Sequence, residues 1–164
     1  MITAQDASFV SPGEGKKCNV FADTITIKVP SELTGGAYSI SEDVTPAGQG
    51  APRHIHRREL ETFIVLEGEY EFQCGDRKFK ATKGAIVVLP REAPHAFKNT
   101  GNTIGKTLVV LVPGGMEKVF EDISAMPPGP PDIGRSTRSR RNMESSSSDV
   151  STGQSVSDVW KDSL

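Results

Sequence analysis

Apolar and polar positions alternate in short runs along most of the first 125 residues. Ile25, Ile27 and Val29 alternate with Thr24, Thr26 and Lys28, the period-two signature of a strand with one buried face. After Gly35-Gly36 the pattern continues through Tyr38, Ile40 and Glu42. Thr62 to Leu66 is a β-branched and aromatic run, and a turn at Glu67-Gly68 leads into Tyr70 to Cys74. Gly75-Asp76 turns the chain again into Arg77 to Ala81. Ala85 to Leu89 is a short apolar strand stopped by Pro90, and Gly105 to Val112 is closed by Pro113-Gly114-Gly115. Met116, Val119, Phe120 and Ile123 fall at i, i+3, i+4 and i+7, which predicts one short C-terminal helix with a single apolar stripe. Strands at intervals of roughly 8–12 residues with Gly/Asp turns predict an all-β antiparallel barrel or sandwich. Closing such a sheet removes its unpaired edges and leaves an interior.

The chain of 164 residues has the length of one domain. Three parts are predicted: an N-terminal segment at 1–22, a β-barrel at 23–125 and a tail at 126–164. From Pro127 onward Pro, Gly and Ser dominate and Trp160 is the only aromatic residue. That composition offers too little apolar surface to offset the entropy of ordering, so the tail is read as disordered. Nineteen Lys+Arg against 21 Asp+Glu leave a net charge of −2, which argues against a nucleic-acid partner. No apolar run approaches the ~20 residues that span a bilayer. The first residues, Met1 to Asp6, lack the basic flank and apolar stretch of a signal peptide. A cytoplasmic location without membrane contact is expected. Cys18 and Cys74 lack zinc-type spacing and are too few for a disulfide framework.

The three histidines, His54, His56 and His95, carry the chemistry. Residues i and i+2 of a strand share a face, so His54 and His56 can offer imidazoles to one point. Glu61 lies at odd offset from His56, on the opposite face of an unbroken strand; a turn through Arg57-Arg58-Glu59-Leu60 would return it beside the histidines. His95 follows a Pro90/Pro94 loop that a hairpin rim can bring to the same point. Three imidazoles and one carboxylate suit one divalent transition-metal ion per chain, drawn from Fe, Mn, Ni, Co, Cu and Zn. They are too rich in nitrogen for Ca or Mg. Glu59 is an alternative to Glu61, which fits better because the turn must end before the next strand.

The stretch Gly50 to Gly68, GAPRHIHRRELETFIVLEG, resembles the first sequence motif of the cupins. His54, His56 and Glu61 stand in its ligand positions, Gly68 in its closing position, and Gly48 in its leading one. Gly84 to Asn99, GAIVVLPREAPHAFKN, is similar to the second motif: Gly84, Pro90, His95 and Asn99 match, while Glu92 stands where a glycine is usual. The resemblance covers roughly residues 20–124. It implies a single cupin barrel (a double-stranded β-helix, or jelly roll) with His54, His56, Glu61 and His95 as metal ligands inside, similar to small quercetin dioxygenase-like members. A homodimer is implied on the same basis.

Phe63, Phe72, Phe97 and Tyr38 are the candidate aromatic lining of a substrate pocket. Arg53, Arg57, Arg58 and Arg91 either clamp an anionic substrate or form a solvated rim, and Cys74 reads as a small buried group. The reading that follows is a metal-dependent dioxygenase acting on a small phenolic or enolic molecule, with Glu61 as general base. A non-redox isomerase, cyclase, dehydratase or lyase would use the same ligands. A regulatory module is the third class, although no DNA-binding helix pair precedes the first strand.

Overall fold

The computed structural model describes residues 7–126. The tail from Pro127 onward, with its predicted disorder, lies outside the described residues. In chain order the elements are β1 (Lys16–Val20), β2 (Asp23–Val29), a short 3-10 helix (Ser31–Thr34), β3 (Ser39–Thr45), β4 (Leu60–Glu67) and β5 (Glu69–Cys74). There follow β6 (Arg77–Thr82), β7 (Ile86–Leu89), β8 (His95–Asn99), β9 (Gly105–Val112) and α1 (Glu117–Ser124).

The strands form two antiparallel sheets. The larger runs in the order β1-β2-β3-β9-β4-β7 and the smaller β6-β5-β8. Their inner faces enclose two apolar clusters; in the larger, Phe63 meets Phe72 and Phe97 with ring centroids 5.1 Å apart in each case, and Cys18, Val20, Ile25 and Ile27 form the smaller. Val65, Val109, Leu89 and Leu111 complete the aliphatic part of the larger. Alternation along β4 and β9 decides which side chains enter: Glu61, Phe63 and Val65 on β4, and Thr107, Val109 and Leu111 on β9.

Two elements depart from the sequence pattern. β1 lies within the segment expected to precede the barrel, and it pairs along its length with β2. Its lysines and Asn19 face solvent and only Cys18 and Val20 point inward, so its apolar signal is two residues long. On β3 the buried positions are Ser39, Ser41, Asp43 and Thr45. The apolar alternation through Tyr38 and Ile40 is therefore the outer face of that strand, and a polar stripe enters the barrel.

Helix α1 lies against β1. Lys16 pairs with Glu121 at 2.8 Å, and the Asn19 amide donates to Ser124 Oγ at 2.9 Å. The helix buries Met116 and Val119, with Phe120 and Ile123 half-buried against the two core clusters, as the stripe predicts. The buried Glu117 carboxylate accepts hydrogen bonds from the Ser31 amide (2.7 Å) and the Gly115 amide (2.9 Å). It thereby joins the start of α1 to the 3-10 segment, and those bonds hold its pKa below the usual value although burial opposes them.

Candidate metal centre

The segment from Gly48 to His56 runs beside β8 and is fastened to it by backbone hydrogen bonds. The Gly48 amide donates to Asn99 O (2.9 Å), Asn99 N to Gln49 O (2.8 Å) and Phe97 N to Ala51 O (3.3 Å). The ladder ends where His54 and His95 exchange both backbone bonds, each 2.9 Å long. Two histidines distant in sequence are thus direct neighbours across one bridge. The Glu92 amide then donates to His56 O at 2.8 Å, fixing the far side of the loop. Asn99, fully buried, staples the base: its Nδ2 donates to Thr45 O (2.9 Å) and Thr103 O (2.8 Å).

Glu61 reaches the same place from β4, where its backbone pairs with Leu89 on one side and Leu111 on the other. One ligand atom from each of His54, His56, Glu61 and His95 lies within 4.8 Å of every other, and all four residues are buried. His54 Nε2 is 3.2 Å from His56 Nε2; Glu61 Oε2 is 3.2 Å from His95 Nε2 and 3.5 Å from His56 Nε2. Glu59, also buried, stands outside this group.

The outer nitrogens are fixed by backbone carbonyls. His54 Nδ1 lies 2.7 Å from Pro52 O and His95 Nδ1 lies 2.8 Å from Ala93 O. A carbonyl only accepts, so each neutral ring carries its proton on Nδ1 and turns a bare Nε2 lone pair inward. Burial, reinforced by the neighbouring imidazoles, lowers His54 to about 3, so this ring stays neutral. Burial alone would lower His56 as well, but the adjacent Glu61 carboxylate outweighs it and the net shift is upward. Glu61 is likewise held below its usual value: its burial is overcome by His56 and His95. Glu61 Oε2 and His95 Nε2 are nevertheless buried without a hydrogen bond. Inward lone pairs and an ionised carboxylate, all buried, leave a deficit that one cation satisfies. The donor set fits a divalent transition metal.

A cavity opens on the cluster. His54, His56 and Glu61 line it together with Phe97, and Met116, Val119, Phe120 and Ile123 cover it from α1. Asp23 and Asp43 enter it from β2 and β3. Of the four predicted lining aromatics, Phe97 faces this space. Phe63 and Phe72 lie in the core and outside the cavity's lining. Tyr38 is a correction: it precedes β3 by one residue, in register with the outer face, and is 41% exposed. The apolar lining that sequence reasoning missed is supplied by the predicted helix stripe and by Val20, Phe21 and Ile25. Arg53, Arg57, Arg58 and Arg91 are all exposed and none lines the cavity. Cys74 is a half-buried free thiol packed against the core.

Two sheets enclosing three imidazoles and a carboxylate define the chain's class, and it belongs to the cupin superfamily. The Cupin domain model matches residues 41–111. Uncharacterized protein MJ1618 of Methanocaldococcus jannaschii is 30% identical over 51% of this chain and 67% of its own length. Germin-like protein 1-3 of Oryza sativa is 31% identical, with 63% of this chain and 50% of the relative aligned. Quercetin 2,3-dioxygenase of Bacillus subtilis is 23% identical over 52% of this chain and 26% of its own. The chain thus spans between about a quarter and two thirds of these relatives. Among solved structures, KdgF from Halomonas sp. aligns with a TM-score of 0.59 at 16% identity, over 66% of this chain and 94% of that one. The polyketide cyclase RemF of Streptomyces resistomycificus aligns at 0.58 and 21%, over 65% and 80% respectively. These likenesses carry the fold. Among the described residues no helix is long and apolar enough to cross a membrane.

Proposed function

We propose that this protein is a metal-dependent oxygenase for a small organic molecule that bears an acidic phenolic or enolic hydroxyl. The observation that carries the reading is the buried set of His54, His56, Glu61 and His95 beside a largely apolar cavity. These four residues hold the ion, with Fe²⁺ the first choice; when bound, it supplies Lewis acidity and positions for substrate and O₂. The apolar wall from α1 and Phe97 receives the body of the substrate and keeps water away. Glu61, released in part from the ion, would serve as general base for the proton of the substrate's hydroxyl.

The protein also pairs with a second copy of itself through the outer face of the larger sheet. Ile40, Val110, Thr62 and Val88 stand in one cross-strand row there, and Leu108, Ile64 and Ile86 in the next. Ile86 is 66% and Val88 55% exposed. The branched apolar side chains on β9, β4 and β7, with Glu42 of β3 ending the second row, form a patch that complements itself, as a twofold interface requires.

The test is metal analysis of the chain purified without added metal, followed by O₂ uptake with the iron-loaded protein and a panel of flavonols and enediols. Uptake coupled to substrate loss, abolished in His54→Ala, is expected. Turnover that persists without O₂ and with zinc in place of iron would select the non-redox alternative: isomerase, cyclase, dehydratase or lyase.

A further inference from the structure

The metal cluster leaves unused two carboxyls that face the same cavity. Asp23 opens β2 and Asp43 lies in β3, where Ile25 pairs with Asp43 and Thr24 with Val44. That register makes Asp23 and Asp43 diagonal neighbours on the inner face, within reach of one small group. They are 6% and 5% exposed; Asp23 shares the inner face of β2 with Ile25 and Ile27, and Asp43 belongs to the polar inward stripe of β3 with Ser41 and Thr45. Asp43 Oδ1 is held by Ser41 Oγ at 2.7 Å. Asp23 Oδ1 is buried without a well-formed hydrogen bond, and the neighbouring Thr45 hydroxyl is itself left unsatisfied. No lysine or arginine lines the cavity to neutralise them. A carboxyl oxygen placed in a core without a partner is costly, and a polar group that enters the cavity removes the cost.

We propose that Asp23 and Asp43 form a second polar anchor in the cavity, which binds a hydroxyl of the substrate other than the groups that meet the metal. The inference rests on the metal-centre reading above and narrows its substrate class to molecules with at least one additional hydroxyl. Burial raises Asp43, with Ser41 opposing and the Glu61 and Asp23 carboxylates adding to it, and burial likewise raises Asp23 against Thr45. A hydroxyl both accepts and donates, so it can pair with either carboxyl whether that carboxyl is ionised or protonated.

Kojic acid and allomaltol test this. Both hydroxypyranones present the same hydroxyketone to a metal; the first carries a hydroxymethyl group where the second carries a methyl. Binding is measured by calorimetry to the zinc-loaded full chain, which excludes turnover. The expected result is kojic acid binding about tenfold more tightly than allomaltol, the scale of one hydrogen bond to a charged group. In Asp23→Leu and Asp43→Leu the preference should fall to near unity with zinc stoichiometry unchanged. Asp43→Asn, which still bonds a hydroxyl, should keep part of it and guards against misfolding of the leucine variants. Equal binding of the two ligands to the native chain, or a preference that survives both leucine substitutions, overturns the anchor and leaves the metal centre standing. Failure to take up zinc, or zinc uptake without binding of either pyranone, overturns the metal-centred reading and the anchor with it.

Discussion

The chemistry rests on single atoms whose positions are over-determined. His54 and His95 are tied by two backbone bonds to each other and by one ring bond each to a carbonyl, so removing one imidazole should spare the strand pairing. His54→Ala or His95→Ala is expected to weaken metal affinity by more than the ~10–100-fold that loss of an outer-shell partner costs. Circular dichroism should stay that of a folded barrel. Stoichiometric, tightly held metal in the double variant would refute histidine ligation. Asp43 gives a second outcome at this scale. In the folded chain it titrates at about 8, against ~4 when unfolded. Between those values the folded state keeps a proton that the unfolded chain has released, so stability falls as pH rises. His54 acts in the opposite sense, but only below its unfolded value of ~6.5, because its folded pKa is lowered. From pH ~6.5 to 8 the decline therefore belongs to Asp43, with His56 adding to it since its pKa is raised. The Asp43 share is at most ~2 kcal/mol over that interval, at ~1.4 kcal/mol per pH unit. Asp43→Asn in the metal-free chain should lose less Tm than the native chain across the interval; equal losses would contradict the assignment. The candidate ligands were legible because histidine is scarce and spacing orders it. Asp23 and Asp43 were not legible, because a lone aspartate in a strand has no spacing partner. Glu92 falls between these cases: the motif asks for glycine there, and the chain keeps the left-handed turn with a glutamate at φ 60°. The loop is held by the bond from the Glu92 amide to His56 O in place of glycine's freedom.

Among the elements, those with a continuous apolar face were readable and those with an interrupted one were not. β2, β4, β5, β7, β9 and α1 follow from period-two stripes, from short apolar or β-branched runs closed by turns, or from the helical stripe. β1 shows two inward apolar residues, and β8 begins at a ligand histidine and alternates through Phe97 to a buried asparagine. Neither pattern is hydrophobic enough to declare a strand. β3 was found as a strand but with its faces exchanged, because side-chain parity alone cannot say which face a closed sheet turns inward when the polar one is buried. The element that positions the site is the ladder of residues 48–54 along β8, and Gly50 is its tightest point. A Cβ there would strike Phe97 O and come within 2.8 Å of Lys98 Cα, both backbone atoms that cannot rotate away. Gly50→Ala should therefore push the ladder off β8, costing ~1–3 kcal/mol as overpacking does, and should loosen metal binding by displacing His54. Gly48→Ala is the control. Its φ of 75° strains an alanine, but nothing lies within 4 Å of the added carbon, so it should cost about 1 kcal/mol with metal affinity kept. Equal losses of metal affinity in the two variants would show that the close approach is unimportant.

For the whole molecule, the barrel's two faces have opposite characters, and the difference bears on assembly. The inner face admits polar groups at the candidate metal centre and along β3. The outer face of the larger sheet is apolar where solvent would favour charge, with Ile86 and Val88 on β7 at the end of the strand order. Charged residues border the apolar patch: Glu67 and Lys106, 3.4 Å apart, and Glu42, which stands between Thr26 of β2 and Leu108 of β9. A solvated edge strand with two exposed branched apolar side chains invites association unless a partner covers it. Closed pairing about a twofold axis covers it without leaving a free patch for further growth. Ile86→Lys combined with Val88→Lys should convert a dimer to a monomer in sedimentation or light scattering. It should leave metal stoichiometry intact, because both side chains point away from the cavity and their inward neighbours Val87 and Leu89 are unchanged. Like charges brought together across the axis make the loss larger than the buried apolar area alone would give. A native chain that is monomeric at micromolar concentration, or a double variant that stays dimeric, would rule out this face as the interface.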